Sequence, residues 1–130
     1  MGRSQINGAI LDERRTFRMH PVVLGLFILE AILYGLIGYA LWRTHTAFPD
    51  TRLGYHVGEA MASQSAWEYA NRAAGAVCGG VGTVLLAAGL LLWRLEAGLG
   101  LAIGALLLLS ILGAVAGVFL PLGLLRRKGL

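Results

Sequence analysis

A few side chains in this sequence are of types that could do chemistry, and the sharpest is Glu30. It stands near the middle of an apolar run from Pro21 to Trp42. An acid at mid-bilayer costs at least about 2.5–3.5 kcal/mol on insertion scales, so it marks either a proton, cation or ligand site or an interhelical hydrogen bond. No Lys, Arg or His lies inside the apolar runs to pair with it. Glu30 is therefore expected to keep its proton, to face the helix bundle, and to donate to Thr83, Ser110 or a backbone carbonyl. His56 and Glu59 form a His-x-x-Glu pair, but two ligands are too few for a zinc centre. Ser63 and Ser65 have no His/Asp constellation to activate them. Cys78, the single cysteine, has no intrachain partner and belongs to no Cys/His cluster. No catalytic residue, metal ligand or cofactor-binding residue is assigned, no cofactor is expected, and an enzyme is not the expected class.

The elements that must position these residues are membrane helices. The chain is 57% hydrophobic and 14% charged, with 19 glycines among 130 residues. A soluble domain carries about 25% charged residues, and one this small could not bury so much apolar surface. Three continuous apolar runs, Pro21 to Trp42, Ala73 to Trp93 and Ala97 to about Leu125, each reach the roughly 20 residues a helix needs to cross a bilayer. Because lipid offers no partners to backbone amides and carbonyls, and because the runs do not alternate, helices are expected and barrel strands are not. The fold class is thus an all-α membrane protein with about three transmembrane helices, near 22–42, 70–93 and 98–122. The last two form a tight antiparallel hairpin across Arg94-Leu95-Glu96.

Residues 1–20 read as a polar segment, a surface helix or disordered, residues 21–125 as the membrane domain, and residues 126–130 as a basic tail. The net charge of +4 comes from basic residues at chain ends and between the runs. It fits lipid headgroups and gives no footprint for nucleic acid. Glycine pairs at small-xxx-small spacing (Gly75/Gly79, Gly100/Gly104, Gly113/Gly117) predict close helix packing, within the chain or with a second copy.

The segment from Leu53 to Gly75 is the least generic. Ser65 followed by Glu68 reads as a capping box, which predicts a short amphipathic helix starting near Ala66 and running into the second span. On that helix Trp67 and Asn71 share a face, Glu68 and Arg72 form an i,i+4 pair, and Trp67 is expected as an anchor at the membrane surface.

This segment resembles the signature of the SdpI family of bacterial membrane proteins. Gly54-Tyr55 matches its Gly-Tyr start, and Ser63, Trp67, Ala70, Arg72 and Gly75 match a Ser-x-x-x-Trp-x-x-Ala-x-Arg-x-x-Gly pattern that enters a membrane helix. His56-Val57 stand where the family usually has Arg-Thr. The resemblance implies the family's minimal three-span form in the bacterial plasma membrane, with the motif loop and C-terminus in the cytoplasm. It further implies a binding role in immunity and signalling, namely resistance to a membrane-active peptide toxin and capture of an ArsR-type repressor. The residues implied for partner binding are Gly54, Tyr55, His56, Ser63, Trp67, Asn71, Arg72 and Gly75. Two other classes stay open: a small transporter or channel subunit using Glu30, and an accessory subunit of a larger membrane complex.

Overall fold

A computed structural model describes residues 18–129. The segment 1–17, expected as a surface helix or disordered, lies outside the described residues. Three helices are long and apolar enough to cross a membrane. Helix α1 runs over Pro21–Tyr39 and continues as one π-helical turn, Ala40–Thr44. Helix α2 covers Gln64–Arg94 and helix α3 Leu99–Lys128. The basic residues Arg126, Arg127 and Lys128 are the last turn of α3, where positive charge complements the helix dipole.

Helix α1 starts where its sequence supplies start signals. Pro21 occupies the first turn, where a missing N–H costs nothing, and the His20 imidazole accepts from the Val22 amide at 3.1 Å. Helix α2 starts earlier than expected. Ser63 is extended (φ −156°, ψ 165°) and its hydroxyl accepts from the Ala66 amide at 3.1 Å. The cap is therefore Ser63 and not Ser65, which is exposed inside the first turn. The third helical residue is then Ala66, which has no side chain to reach back, so a single cap replaces the expected box. The hairpin between α2 and α3 turns over Leu95–Gly98, with Glu96 in the left-handed region at φ 55°.

The central helix is α2, with α1 and α3 packed antiparallel on it and touching each other only along a short stretch. At one end, the Met19 amide donates to the Ala97 carbonyl at 2.9 Å and Arg18 pairs with Glu96 at 2.9 Å. This brings the chain before α1 onto the α2–α3 turn. Phe27, Leu85 and Leu106, one from each helix, meet in the apolar core next to that end. The opposite end carries the loop 45–63 and the end of α3, with a second core of Tyr55, Ala60, Ala66, Ala70, Ala74 and Leu125.

The α1–α2 seam is made by backbone approaching backbone. A Cβ added to Gly75 would lie 2.7 Å from the Gly38 carbonyl oxygen, one on Gly82 2.8 Å from the Ala31 oxygen, and one on Gly89 2.6 Å from Phe27 Cβ. These glycines recur every seven residues, not every four. A strict seven-residue repeat keeps one face toward a neighbour when the two helices wrap left-handedly, the geometry of most bundles in membranes. Within the chain the i,i+4 expectation holds at Gly75/Gly79, where a Cβ on Gly38 would lie 2.8 Å from the Gly75 oxygen and 2.9 Å from the Gly79 nitrogen, and not at Gly100/Gly104. Gly79, Gly100 and Gly104 have nothing within 4 Å of an added Cβ, and Gly117 meets only Cys78 Sγ at 3.6 Å, whereas Gly113 does pack tightly, 2.5 Å from Val81.

Gly75→Leu and Gly82→Leu should each destabilise the protein by about 1–3 kcal/mol, because overpacking there must separate two backbones. Gly79→Ala and Gly104→Ala should leave it unchanged. Thermal unfolding of the four variants in one detergent measures the contrast.

Candidate functional site

The loop 45–63 and the first turns of α2 form the most specific polar arrangement in the molecule. Helix α2 carries Trp67 and Asn71 one turn apart, and both are 0% exposed. The Trp67 indole N–H donates to the Thr46 carbonyl at 2.6 Å. The Asn71 side-chain oxygen accepts from the Tyr55 amide at 2.9 Å, while its amide group donates to the Trp67 carbonyl at 2.8 Å. The start and the middle of the loop are thus each bonded to one face of α2. The Tyr55 hydroxyl donates to the Val118 carbonyl on α3. That carbonyl adjoins the Gly117 carbonyl, which loses its helical donor to Pro121.

Gly54 explains why the motif opens with glycine. Its φ is +152°, and a Cβ there would meet Asn71 Oδ1 and stand 2.7 Å from the Trp67 ring. Only glycine fits both the backbone and the space. The loop is braced internally by Thr46, whose amide donates to the Leu53 carbonyl at 2.9 Å and whose hydroxyl donates to the Asp50 carbonyl at 2.6 Å. Arg52 lies against Asp50 at 2.9 Å, and that hydrogen-bonded guanidinium holds the Asp50 carboxyl below the usual carboxylate range.

Two histidines edge the Trp67 ring, His45 with centroids 6.4 Å apart and His56 at 6.2 Å. His45 Nδ1 lies 2.7 Å from the Leu41 carbonyl, so it is the protonated nitrogen of that ring, and Nε2 faces Glu68 at 3.5 Å. Glu68 therefore engages His45 instead of the expected Arg72. Arg72 and His56 are exposed.

At the edge of the site Glu59 and Arg126 form a two-pronged ion pair. Arg126 Nη2 stands 2.7 Å from Oε1 and Nε 3.1 Å from both carboxylate oxygens. The Arg126 hydrogen bonds hold the Glu59 carboxyl below its ordinary range. With Glu59 so engaged and His56 turned to Trp67, the His-x-x-Glu pair does not converge. Burial pushes the Tyr55 hydroxyl up.

Of the motif residues, Gly54, Tyr55, Trp67 and Asn71 come together in one lock. Ser63 caps α2 beside it, and Gly75 lies two turns along on the α1 seam. Trp67, expected as an anchor at the membrane surface, is enclosed by the loop, and its N–H is taken up by a protein carbonyl. Sequence reasoning missed Thr46 and His45, which act through a backbone carbonyl and a ring edge and carry no pattern. It also missed the Glu59–Arg126 pair, for which opposite charge on the same end of the bundle was the available signal.

Glu30 is half-buried, and its carboxyl meets the Ser110 hydroxyl on α3 at 2.5 Å. Thr83, the other side-chain partner considered, bonds its own helix at the Gly79 carbonyl, 2.9 Å away.

Comparison with known sequences adds one finding. The model of the SdpI/YfhL protein family matches residues 49–123, a stretch that begins in the loop and ends inside α3. No curated protein and no solved structure matches the chain.

Asn71→Ala should strand the Tyr55 amide and cost about 1–3 kcal/mol. Amide hydrogen exchange over residues 45–63 should accelerate, as it should in Trp67→Phe, which keeps a ring but loses the donor. The Glu59–Arg126 pair has its own signature. A lowered carboxyl contributes stability above its unfolded value and loses it as pH falls through the folded one. Exchange around Glu59 should therefore rise only below the ordinary carboxylate range in the wild type, and already be raised at pH 7 in Glu59→Gln.

Proposed function

Because the matched stretch spans more than half of the chain, this protein belongs to the SdpI/YfhL family, and on that premise we propose that it is a multi-pass protein of the bacterial plasma membrane with a binding role in peptide immunity. In this reading the helices intercept a membrane-active peptide, and the loop presents a fixed surface to a regulatory partner on the cytoplasmic side. An ArsR-type repressor is the partner the resemblance implies.

The observation that carries the reading is the lock beneath the loop. Two wholly buried polar side chains, Trp67 and Asn71, hold a segment with no regular secondary structure beyond one short turn, Ala60–Ala62. Conformational entropy opposes such order at about 1–2 kcal/mol per residue. A fixed loop is what recognition needs, since order already present in the free protein is not lost again on binding. Among the residues left outward for a partner are Leu53, His56 and Arg72. A second reading, a small transporter or channel subunit, rests on Glu30 and its contact with Ser110.

The test is survival of a sensitive bacterium challenged with a panel of membrane-active peptides. Cells expressing the protein should survive above the vector control for at least one peptide. His56→Ala and Arg72→Ala should lose that protection at unchanged membrane abundance, and Gly104→Ala should keep it. Survival equal to the vector for every peptide overturns the reading. Ion flux into vesicles that vanishes in Glu30→Gln would favour the transporter instead.

A further inference from the structure

The hydrogen bonds around Ser110 do not add up unless Glu30 carries a proton. Ser110 Oγ lies 2.5 Å from Glu30 Oε2 and 2.6 Å from the Leu106 carbonyl oxygen. Both separations are at the short end of O–H···O hydrogen bonds, so each needs a hydrogen between its oxygens. A serine hydroxyl has one hydrogen, and a peptide carbonyl has none. If Glu30 were a carboxylate, one of the two contacts would bring bare lone pairs together at hydrogen-bond distance. The missing hydrogen belongs to the Glu30 carboxyl.

We propose that Glu30 is a proton-binding site inside the helix bundle, and that its bound proton clasps α1 to α3. The carboxyl donates to Ser110 Oγ, and Ser110 donates to the Leu106 carbonyl. One turn further along α1, the Tyr34 hydroxyl donates to the Ser110 backbone carbonyl at 3.2 Å. Ser110 is thus held by α1 through both its side chain and its main chain. These bonds lie where α1 and α3 otherwise meet only briefly.

Among the described residues, the groups around Glu30 favour a proton as its ligand. The titratable groups nearby are Tyr34 on α1 and, next to that tyrosine, Cys78 on α2, both neutral when protonated. Helix α3 presents only Ser110, and no Lys, Arg or His occurs in the apolar stretch of any of the three helices. Among the described residues a carboxylate here has no counter-ion. It is tolerated only if the α1–α3 seam opens to admit water. Loss of the proton and separation of α1 from α3 are therefore one event. Glu30→Gln imitates the protonated form, because its amide still donates, and holds the seam closed at any pH. The inference stands independently of the immunity reading, which rests on the loop at the other end of α1.

Infrared spectra of the full chain in phospholipid vesicles test it. At pH 7, wild type minus Glu30→Gln should show the carbonyl band of a protonated carboxyl, and Ser110→Ala should shift that band to higher frequency as the partner hydroxyl is removed. A difference spectrum holding only carboxylate bands overturns the proposal without any assumption about Ser110→Ala. For the seam, spin labels at Leu33 and Leu112, both exposed, are introduced into Cys78→Ala protein and its Glu30→Gln derivative. The interlabel distance should lengthen as rising pH removes the carboxyl band, and should stay constant in the Gln derivative. A distance that does not move while the band disappears would sink the coupling.

Discussion

The structure depends on how closely the backbones of α1 and α2 approach each other. In lipid, apolar side chains gain nothing by leaving their surroundings, so helices associate through packing and hydrogen bonds instead. Gly38 and Gly75 face each other with no room for a Cβ, and Gly82 and Gly89 continue the seam toward the other end. That contact fixes how α1 and α2 sit along each other. It sets Trp42 against Gly75, and so places the chain leaving α1 within reach of the first turns of α2. The Thr46 carbonyl meets the Trp67 indole because the two helices are already this close.

From that seam, hydrogen bonding organises the rest. Among the described residues, every buried side-chain nitrogen or oxygen has a partner, as a fold in a medium without water requires. The partners fall in two groups. At the loop end, Asn71 and Trp67 satisfy main-chain groups of the loop. In the bundle, Glu30, Tyr34 and Ser110 satisfy one another across the two outer helices. The first group holds the loop on α2, whereas the second ties α1 to α3. Buried polar side chains in such places limit alternatives, because a shifted register would leave each of them unsatisfied at a cost.

Much of this was legible in the residues. Run lengths fixed three helices, and the three-residue break after Trp93 fixed the α2–α3 hairpin, since neither depends on what packs where. Glu30 was expected to face the bundle, because an acid facing lipid cannot be satisfied, and it does reach Ser110. The Gly54-Tyr55 and Ser63-to-Gly75 spacing pointed to the family whose model matches residues 49–123. One reading went astray and another held only in part, for the same reason. Ser65 and Ser63 are equally good caps by type, and the choice between them was made by the loop, which needs Trp67 and Asn71 beneath it. The glycines at four-residue spacing were equally good contact candidates by type, and the choice was made by the wrapping of α1 on α2.

The sequence by itself determined the class of the protein, the number of its membrane-length helices, and the polar residues that demand partners, because those follow from hydropathy and from the cost of an unsatisfied group. Only the tertiary structure decided which partners they found. Trp67 took a carbonyl from Thr46, Glu68 took His45, Glu59 took Arg126 and Glu30 took Ser110. In the described residues, contacts such as Glu59–Arg126 and Glu30–Ser110 join residues 67 and 80 positions apart, and no local pattern encodes them. They exist because α1 and α3 both pack on α2, which brings distant segments to hydrogen-bonding distance.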